Sequence, residues 1–491
     1  MINMKKNYIK TELKKSKEIL SNITGYSLDK EQRIAVVSDY PATLILAGAG
    51  SGKTLTMIGK IRYLIELKDI DPKDILCISF TKEASKNLER KIKESYDYNI
   101  NVYTFHKLAL ILLESENCKI CDQFCLEYVV NEYFYMIKDN REMINKVKRV
   151  LNCIDTSYNK ILKSKDLINL ERLIITFINL FKTNNCNLNE FLSIKYNKDL
   201  VRIILDIYFL YEKELQSTNE IDFNDLIIKA RQKVKYSHIN YKYIIIDEYQ
   251  DTSYIRYLFI KEIINKTGAK IICVGDDYQS IYRFTGCNIN MFLNFKKYFR
   301  HAKILKINNT YRNSQELINV ASKFIMKNKN QLYKKLKSKK HIDKPIKLYY
   351  GKDLKKLLDI VLKKYKNILV LGRNNFDINE YFNLNNGYFN YKGNNIRYLT
   401  IHSSKGLEED CVVIINLKDS KLGIPNKIID NKILKYVNKS CDTYPYEEER
   451  RLFYVALTRT KGDVYLFVDR KNPSIFVKEL IKYNNKYIEY I

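Results

Sequence analysis

The sequence has few residues that interrupt regular structure and no tryptophan: its 491 residues include 15 glycines, 6 prolines and 10 cysteines. So little glycine and proline excludes a collagen-like or low-complexity chain. Ten scattered cysteines in a chain of this length exclude a small disulfide scaffold and favour reduced, packed thiols. No apolar run approaches the roughly 20 residues of a membrane-spanning helix, and no secretion signal is visible. We therefore expect a soluble, cytoplasmic protein with no membrane partner.

Acidic residues are also scarce, because 56 aspartates and glutamates face 85 lysines and arginines, which gives a formal net charge of +29. This charge favours a polyanionic partner such as nucleic acid. A base-composition bias in the genome, with lysine, isoleucine, asparagine and tyrosine all abundant, would produce the same charge without any function. The most basic run, at 334–344, is equally consistent with a solvated loop. Length and 46% hydrophobic residues predict two or more globular domains.

Three cysteines lie close together in the sequence and raise the hypothesis of a metal site. Cys118, Cys121 and Cys125 could hold zinc or an iron–sulfur cluster, with Cys153 or Cys186 as a fourth ligand. There is no second Cys-x2-Cys pair, and the surrounding segment has a helical pattern. Packed thiols without a metal are therefore the alternative.

The few glycines concentrate where an apolar run stops, in the stretch LILAGAGSGKTL at 44–55. Alternating glycines let several backbone N–H groups converge, and the helical pattern that follows brings a phosphate to a helix N-terminus. Lys53 would reach the outer phosphates and Thr54 would hold Mg²⁺. The usual pattern has glycine in place of Ala47, and an ordinary glycine-rich turn is the alternative. The stretch predicts a nucleoside triphosphate site.

A second nucleotide signal is YIIIDEYQD, in which Asp247 and Glu248 follow an apolar strand. One carboxylate can hold Mg²⁺, and its neighbour can orient or deprotonate the attacking water. Adjacent acids in a loop are usually only solvated. The buried strand before them and the phosphate loop in the same chain favour the catalytic interpretation.

Short apolar runs that end in polar residues alternate with helical stretches, a pattern that predicts parallel sheets with ligands at the carboxyl ends of the strands. The first set lies at 44–47, 75–80, 243–247 and 271–276, and the second at 368–373, 411–416 and 464–469. The stretch 106–218 is helical in pattern and predicts an insertion. We expect an α/β fold of two domains, the first of them interrupted.

Nine stretches, in chain order, resemble the motifs of superfamily 1 DNA helicases of the UvrD/Rep type. They are LDKEQRIAV (28–36), AGAGSGKT (47–54), ISFTKEASKNLERKI (78–92), TFHKLAL (104–110), IIDEYQDTS (245–253), VGDDYQSIYRFTG (274–286), NTYRNSQEL (309–317), LTIHSSKGLEED (399–410) and EEERRLFYVALTRTK (447–461). Nine motifs in family order are far more specific than any one of them. Within the family, IYRFTG and EERRLFYVALTRT most resemble the helicase IV branch.

The resemblance implies two RecA-like P-loop domains, named 1A and 2A, with a helical insertion, 1B, in the first. The implied bounds are 1–26 for a basic N-terminal tail, 27–105 and 219–303 for the two parts of 1A, 106–218 for 1B and 304–491 for 2A. Relatives carry a further domain, 2B, between motifs IV and V. Here only about 26 residues join Asn374 to Thr400, too few for a domain of even about 40 residues. We expect 2B to be absent or a stub.

The resemblance also implies roles for individual residues at the nucleotide. Catalytic residues would be Lys53, Asp247, Glu248, Gln279, Arg312 and Arg459. ATP would be bound by Gln32, Ala49, Gly50, Ser51, Gly52, Lys53, Thr54, Tyr311 and Glu408, and Mg²⁺ by Thr54 and Asp247. In these roles Gln32 contacts adenine with Tyr311 stacked on it, Glu408 contacts the ribose, and Gln279 senses the γ-phosphate. Arginines that reach the phosphate from the second domain would tie hydrolysis to closure of the cleft.

Aromatic side chains suit a DNA track because a stacking face tolerates any base. The residues implied to contact DNA are Phe80, Phe105, His106, Tyr282, Phe284 and His402. Phe284 stands where the family commonly has tryptophan, and Thr285 where it often has arginine. For each ring the alternative is a place in the hydrophobic core.

The function implied is an ATP-dependent, Mg²⁺-requiring DNA helicase or single-strand translocase, moving 3′ to 5′, in repair, recombination or defence. Its partners would be single-stranded DNA and single-strand/duplex junctions. One alternative is the motor subunit of an anti-phage defence complex that partners a nuclease. Another is a nucleic-acid-binding module that uses ATP as a switch and does not unwind.

Overall fold

The computed structural model describes residues 2–116, 119–438 and 444–491, without the side chains of 2–6 and 115. The strands are β1 Ala42–Ala47, β2 Ile75–Ser79, β3 Asn101–Thr104, β4 Lys119–Ile120, β5 Glu220–Ile221, β6 Tyr243–Ile246, β7 Lys270–Gly275, β8 Ala302–Ile307, β9 Ile346–Tyr350, β10 Ile368–Gly372, β11 Tyr388–Tyr391, β12 Asn394–Thr400, β13 Cys411–Ile414, β14 Val464–Val468 and β15 Ile488–Tyr490.

The α-helices surround two sheets. They are α1 Ile2–Lys15, α2 Lys30–Val37, α3 Lys53–Lys68, α4 Lys82–Tyr96, α5 Phe105–Leu112, α6 Cys125–Met136, α7 Arg141–Leu151, α8 Tyr158–Ile161, α9 Lys165–Thr183, α10 Leu188–Leu192, α11 Lys198–Ser217, α12 Phe223–Lys233, α13 Tyr254–Thr267, α14 Ile289–Leu293, α15 Phe295–Tyr298, α16 Gln315–Ile325, α17 Leu354–Leu362, α18 Glu447–Leu457 and α19 Ile475–Asn484.

The first sheet has six parallel strands in the order β3-β2-β6-β7-β1-β8. Its central strands are continuous apolar runs because helices cover both faces, and β1 is buried along its whole length. Leu44 in β1 pairs with Cys273 on one side and Ile304 on the other. Strand β8 therefore belongs to the first sheet, and the predicted domain boundary at 303/304 falls inside it.

The second sheet has seven strands in the order β11-β12-β10-β13-β14-β9-β15, and within it only β11 runs antiparallel to its neighbour. The α/β class predicted from the sequence is confirmed. Six strands of the two sheets, β3, β8, β9, β11, β12 and β15, were not predicted. Most of them carry polar residues or lie at or next to a sheet edge, so that they lack a continuous apolar run: β8 reads AKILKI and is only half-buried.

The helical insertion contains α6 to α11 and has a hydrophobic core of its own. Two residues from the second half of the chain, Ile433 and Val437, are buried in that core, and the Val437 carbonyl accepts a 2.9 Å hydrogen bond from Asn184. A two-residue parallel pair, β4 with β5, closes the base of the insertion. The insertion is thus joined to the segment between β13 and α18 as well as to the first half of the chain.

The proposed cysteine cluster falls partly outside the described residues, because Cys118 is not among them. In the described ranges no group of three histidine, cysteine or acidic side chains is arranged to hold a metal ion. Cys121 and Cys125 instead belong to the core of the insertion and its border. No helix in the described part of the chain is long and apolar enough to cross a membrane.

The N-terminal segment predicted as a basic tail contains α1, which packs on the first domain. Glu12 is 4% exposed, accepts a 2.6 Å hydrogen bond from the Tyr63 hydroxyl and pairs with Lys68 at 2.8 Å. The short connection after β10 is also structured: a 3-10 turn at Asn375–Ile378 leads into the hairpin β11–β12 at the edge of the second sheet.

Candidate nucleotide cleft and aromatic cluster

The glycine-rich loop lies between the end of β1 and the start of α3, at the carboxyl edge of the first sheet. Gly50 and Gly52 adopt left-handed backbone angles, with φ of 68° and 76°. A side chain at Gly50 would also collide, because its Cβ would lie 2.4 Å from the Cβ of Arg312. Only glycine combines this backbone with so close an approach.

Gln32 fixes the far side of this loop and is 1% exposed. Its amide nitrogen donates to the Ser51 carbonyl at 3.0 Å, and its amide oxygen accepts from the Asp29 backbone N–H at 2.8 Å. Asp29 in turn accepts from the Gln32 backbone N–H at 2.9 Å, which completes a capping box at the start of α2. Helix α2 and the loop are thereby held in one orientation.

The stretch after β8 is hydrogen-bonded to the glycine-rich loop on the side opposite Gln32. The Thr310 hydroxyl donates to the Ala49 carbonyl at 2.7 Å, and the Tyr311 backbone N–H donates to the Gly50 carbonyl at 2.9 Å. The Tyr311 ring is 61% exposed, and its hydroxyl donates to Asp29 at 2.9 Å. An aromatic face is therefore held at the mouth of the cleft.

Charged side chains meet behind the loop. Lys53 Nζ lies 2.7 Å from Glu248 Oε1, and Lys53 is the first residue of α3. Burial alone would raise the pKa of Glu248, but the charges of Lys53 and Lys405 lower it below its usual value. Burial raises the pKa of Asp247, and the charge of Glu248 adds to the effect. Asp247 thus carries the carboxylate charge that is less well compensated.

Two arginines enter from the second domain. Arg459 is 1% exposed, and its Nη2 donates to the Gln279 amide oxygen at 3.0 Å. Burial, reinforced by the charge of Arg312, lowers the pKa of Arg459 to about 10. Arg312 pairs with Glu408 at 2.6 Å, so that Glu408 is bound to a side chain in this conformation.

One cleft of about 910 Å³ collects every residue that the sequence analysis assigned to the nucleotide. Its walls include Gln32, Ala49, Gly50, Ser51, Gly52, Lys53, Thr54, Asp247, Glu248, Gln279, Tyr311, Arg312, Glu408 and Arg459. We call it the nucleotide cleft. It lies between the two sheets and takes residues from both.

Four rings next to the cleft form what we call the aromatic cluster: Phe80, Tyr282, Phe284 and His402. Phe80 stacks on Tyr282 with centroids 6.0 Å apart and an interplanar angle of 6°. Phe284 meets His402 edge to face at 5.6 Å and is 59% exposed. Burial, with a smaller effect of Arg373, lowers the pKa of His402 to about 4. The cluster offers exposed ring surface beside the cleft.

Two other residues predicted to contact DNA lie elsewhere. Phe105 is 4% exposed and belongs to the core of the first domain, so its ring offers little free face in this conformation, and its contact with DNA stays a prediction. His106 is partly exposed and meets the Phe223 ring at 5.1 Å, away from the four rings of the cluster.

The sequence analysis missed two cations that support these rings. The Arg256 guanidinium lies 4.9 Å from the centre of the Phe80 ring and 5.6 Å from that of Phe105. Lys405 lies 2.5 Å from Asp251, donates to the Gln279 carbonyl at 2.7 Å, and is 5.0 Å from the Tyr282 ring. The placement of Lys405 in the SSKGLEED motif was a usable signal, whereas Arg256 lies on α13 without one.

Comparison with known proteins identifies two matching family models. The UvrD/REP helicase N-terminal domain matches residues 28–300, and the UvrD-like helicase C-terminal domain matches residues 373–471. The chain is 26% identical to DNA helicase IV of Escherichia coli (strain K12) over 96% of this chain and 73% of that protein. Of the cleft residues named above, the two family models cover all except Tyr311 and Arg312.

Two further relatives are similar over a smaller share of their length. DNA helicase II of Rickettsia typhi is 31% identical over 63% of this chain and 46% of that protein. ATP-dependent DNA helicase Rep of Buchnera aphidicola subsp. Baizongia pistaciae is 28% identical over 68% of this chain and 50% of that protein. The chain thus spans about half the length of these two relatives.

Proposed function

The chain belongs to the UvrD/Rep helicase family, and from that premise we propose that it is an ATP-dependent DNA helicase or single-strand DNA translocase. The observation that carries the proposal is the contact between Arg459 and Gln279. It joins the second domain to the first at the same cleft that holds Lys53 and Glu248. A charge supplied from across a cleft stabilises phosphoryl transfer only when the cleft is closed, so hydrolysis is tied to domain movement.

The phosphates of ATP fit the glycine-rich loop. Its backbone N–H groups and the N-terminus of α3 favour negative charge, and Lys53 adds a point charge at the outer phosphates. Lys53 is paired with Glu248 in this conformation, and a γ-phosphate would compete for the ammonium group. We infer that nucleotide binding releases Glu248 for its role as the base that orients and deprotonates the attacking water.

The residues present also fit Mg²⁺. Asp247 is the carboxylate whose charge is less well compensated, because Lys53 pairs with its neighbour Glu248 instead. Thr54, which follows Lys53 at the start of α3, adds a hydroxyl ligand. Mg²⁺ bound there would neutralise charge on the phosphate oxygens.

The remaining cleft residues would recognise the nucleotide and sense its state. Gln32 and Tyr311 lie on the adenine side of the loop, where a stacked ring and an amide suit a purine. Arg312 would exchange Glu408 for the γ-phosphate and free that carboxylate for the ribose. Gln279 would hold the attacking water through the amide oxygen that Arg459 occupies now.

Single-stranded DNA would run over the aromatic cluster, with 3′ to 5′ movement expected from the family. The short connection after β10 supports the proposal that domain 2B is absent, because it forms an edge hairpin of the second sheet. Without that domain we expect translocation to be stronger than unwinding of long duplexes, unless a protein partner such as a nuclease supplies a duplex contact. Repair and anti-phage defence both remain within this proposal.

The test is ATP turnover with and without single-stranded DNA, compared with Lys53→Ala as the inactive control. Turnover that rises with DNA concentration and disappears in Lys53→Ala supports a motor. Displacement of a short labelled strand distinguishes a motor from a module that uses ATP only as a binding switch. ATP binding without DNA-stimulated turnover or strand movement would contradict the proposal.

A further inference from the structure

Lys334 is buried although it begins the basic run that resembles a solvated loop. Its side chain has 0% exposure, as do those of Asp276 and Asp277, and it forms an ion pair with each of them. The distance to Asp277 is 2.5 Å, and the ammonium lies 3.4 Å from the centre of the Tyr278 ring. A lysine is seldom buried so completely without paired carboxylates, and here it has two.

The segment that carries Lys334 returns from the second domain to the nucleotide cleft. It follows α16, and the Leu332 backbone N–H donates to Asp277 Oδ2 at 2.8 Å. Leu336, two residues after Lys334, packs on Gly48 of the glycine-rich loop. A Cβ added to Gly48 would lie 2.8 Å from a methyl carbon of Leu336. We call the segment between α16 and β9 the strap. Lys334 thus connects the strap to the loop after β7.

Asp276 continues this connection to the cleft. Its Oδ2 accepts a 2.6 Å hydrogen bond from the Gln279 side-chain nitrogen, and both groups are buried. Because Asp276 accepts from the amide nitrogen of Gln279, the amide oxygen of Gln279 is not used in this contact. The amide oxygen is therefore directed to the other side, where it meets Arg459 at 3.0 Å.

We propose that Lys334 is a positioning residue for ATP hydrolysis, which holds Asp276 in place so that Asp276 fixes the amide orientation of Gln279. This inference rests on the proposed function. It assigns a role to a residue outside the nine motifs, and it gives the strap a direct connection to the γ-phosphate sensor. The alternative is a lysine that only neutralises two buried carboxylates.

Asp277 offers a matched control because it pairs with Lys334 but makes no bond to Gln279. Asp277→Asn removes one ion pair and leaves the connection from Lys334 through Asp276 intact. The double variant Lys334→Met with Asp277→Asn removes Lys334 yet keeps the net charge of the cluster, since one cation and one carboxylate are neutralised together. The double variant therefore leaves one buried carboxylate, Asp276, without its cation, whereas Lys334→Met alone would leave two.

The experiment measures kcat, the KM for ATP and the melting temperature of the wild type and both variants. We expect kcat of the double variant to fall by at least about tenfold, because a misplaced catalytic group is costly. The KM for ATP should stay within about threefold, since uniform nucleotide binding is not removed. Asp277→Asn should keep kcat within about twofold of the wild type.

Equal kcat values in the double variant and in Asp277→Asn would overturn the proposal. A loss of kcat that follows melting temperature equally in both variants would also overturn it, because that is the behaviour of a structural counter-ion. Turnover is measured both without and with single-stranded DNA. A wild type that DNA does not stimulate contradicts the proposed motor, while the comparison of basal turnover still decides the role of Lys334.

Discussion

The nucleotide cleft and the aromatic cluster share the loop between Asp276 and Gly286 but are built from opposite materials. In the cleft, charged groups form pairs of defined geometry, such as Lys53 with Glu248 at 2.7 Å. In the cluster, ring centroids lie 5.6 to 6.4 Å apart, and Phe284 is 59% exposed. Phosphoryl transfer needs fixed charges, whereas a moving strand needs a surface that accepts any base. Gln279 in the cleft and Phe284 in the cluster are only five positions apart in this loop. A short segment therefore connects a site with fixed charges to a surface that accepts any base.

If ATP is hydrolysed in the cleft and not in the cluster, Glu248→Gln should cause the largest loss of ATP turnover. The amide cannot accept a proton, so we expect ATP turnover to fall by about 10²- to 10⁴-fold, with nucleotide still bound. Lys53→Ala should abolish turnover for another reason, because it removes charge at the phosphates and weakens nucleotide binding as well. Initial rates and binding of a fluorescent ATP analogue separate the two.

The matched control for Glu248→Gln is Glu83→Gln, the same change at an exposed position of α4. It should leave turnover unchanged. Near-normal turnover by Glu248→Gln would remove Glu248 from the role of base and leave the cleft without an assigned one.

Truncation of the most exposed ring tests the other half. Phe284→Ala should weaken single-strand binding by roughly tenfold to a hundredfold, since stacking contributes about 1–3 kcal/mol per base. Basal turnover and melting temperature should stay close to the wild type, because a side chain 59% exposed leaves little cavity. The measurement is turnover against DNA concentration. Unchanged stimulation by DNA would show that the cluster is not the track.

Phe105→Ala sharpens this result as a contrasting variant. Its ring is 4% exposed in the core, so the expected cost is about 3–5 kcal/mol of stability. The same substitution, phenylalanine to alanine, is therefore expected to weaken DNA binding at Phe284 and to lower stability at Phe105.

The sequence analysis named the residues of both the cleft and the cluster, but it did not predict which rings are buried, and the reason is physical. Asp247 and Glu248 follow a buried strand directly, and Lys53 follows one after the glycine-rich loop, so that a local pattern fixes both their identity and their position. The exposure of Phe105 depends on which helices pack above it, which no local pattern states. Lys334 shows the same limit, because its two partners lie almost 60 residues away in sequence.

The structure shows a regular burial pattern around Lys334. Burial alternates along the strap, since Lys334 and Leu336 are buried while Tyr333 and Lys335 are exposed. Such period-two alternation is typical of an extended segment with one covered face. The charge of the side chain concealed it, and only the aspartates opposite explain why a lysine occupies a buried position.

Acid should destabilise the aromatic cluster through His402. Burial lowers the folded-state pKa of His402 to about 4, below its unfolded value of about 6.5. The neutral ring is therefore favoured in the fold, and the stability it contributes is present above pH 6.5 and is lost as the pH falls towards 4. The pKa of Glu248 is lowered by Lys53 and Lys405 despite burial, so the base stays ionised over that window.

We expect the wild type to lose about 1–3 kcal/mol of unfolding free energy through this histidine between pH 6.5 and pH 4. His402→Asn should flatten that part of the pH profile, and the exposed His301→Asn should not. Urea unfolding at a series of pH values measures both. Identical profiles for the two variants would mean that His402 is not the acid-sensitive group.

We expect the smallest effect on ATP turnover at Tyr311, which is an exposed aromatic ring in the cleft and resembles the rings of the cluster. This ring is 61% exposed, yet its hydroxyl donates to Asp29, which also caps the helix of Gln32. If adenine stacks on the ring, Tyr311→Ala should raise the KM for ATP by roughly tenfold, by analogy with base stacking on other aromatics. Tyr311→Phe keeps the ring and loses one solvent-exposed hydrogen bond, so the KM should rise only about two- to threefold. In both variants kcat should be unchanged, because the interaction is present equally in the ground state and the transition state. A fall in kcat with unchanged KM would instead give Tyr311 a role in phosphoryl transfer. The ring at the mouth of the cleft would then belong to the catalytic site and not to a surface for stacking.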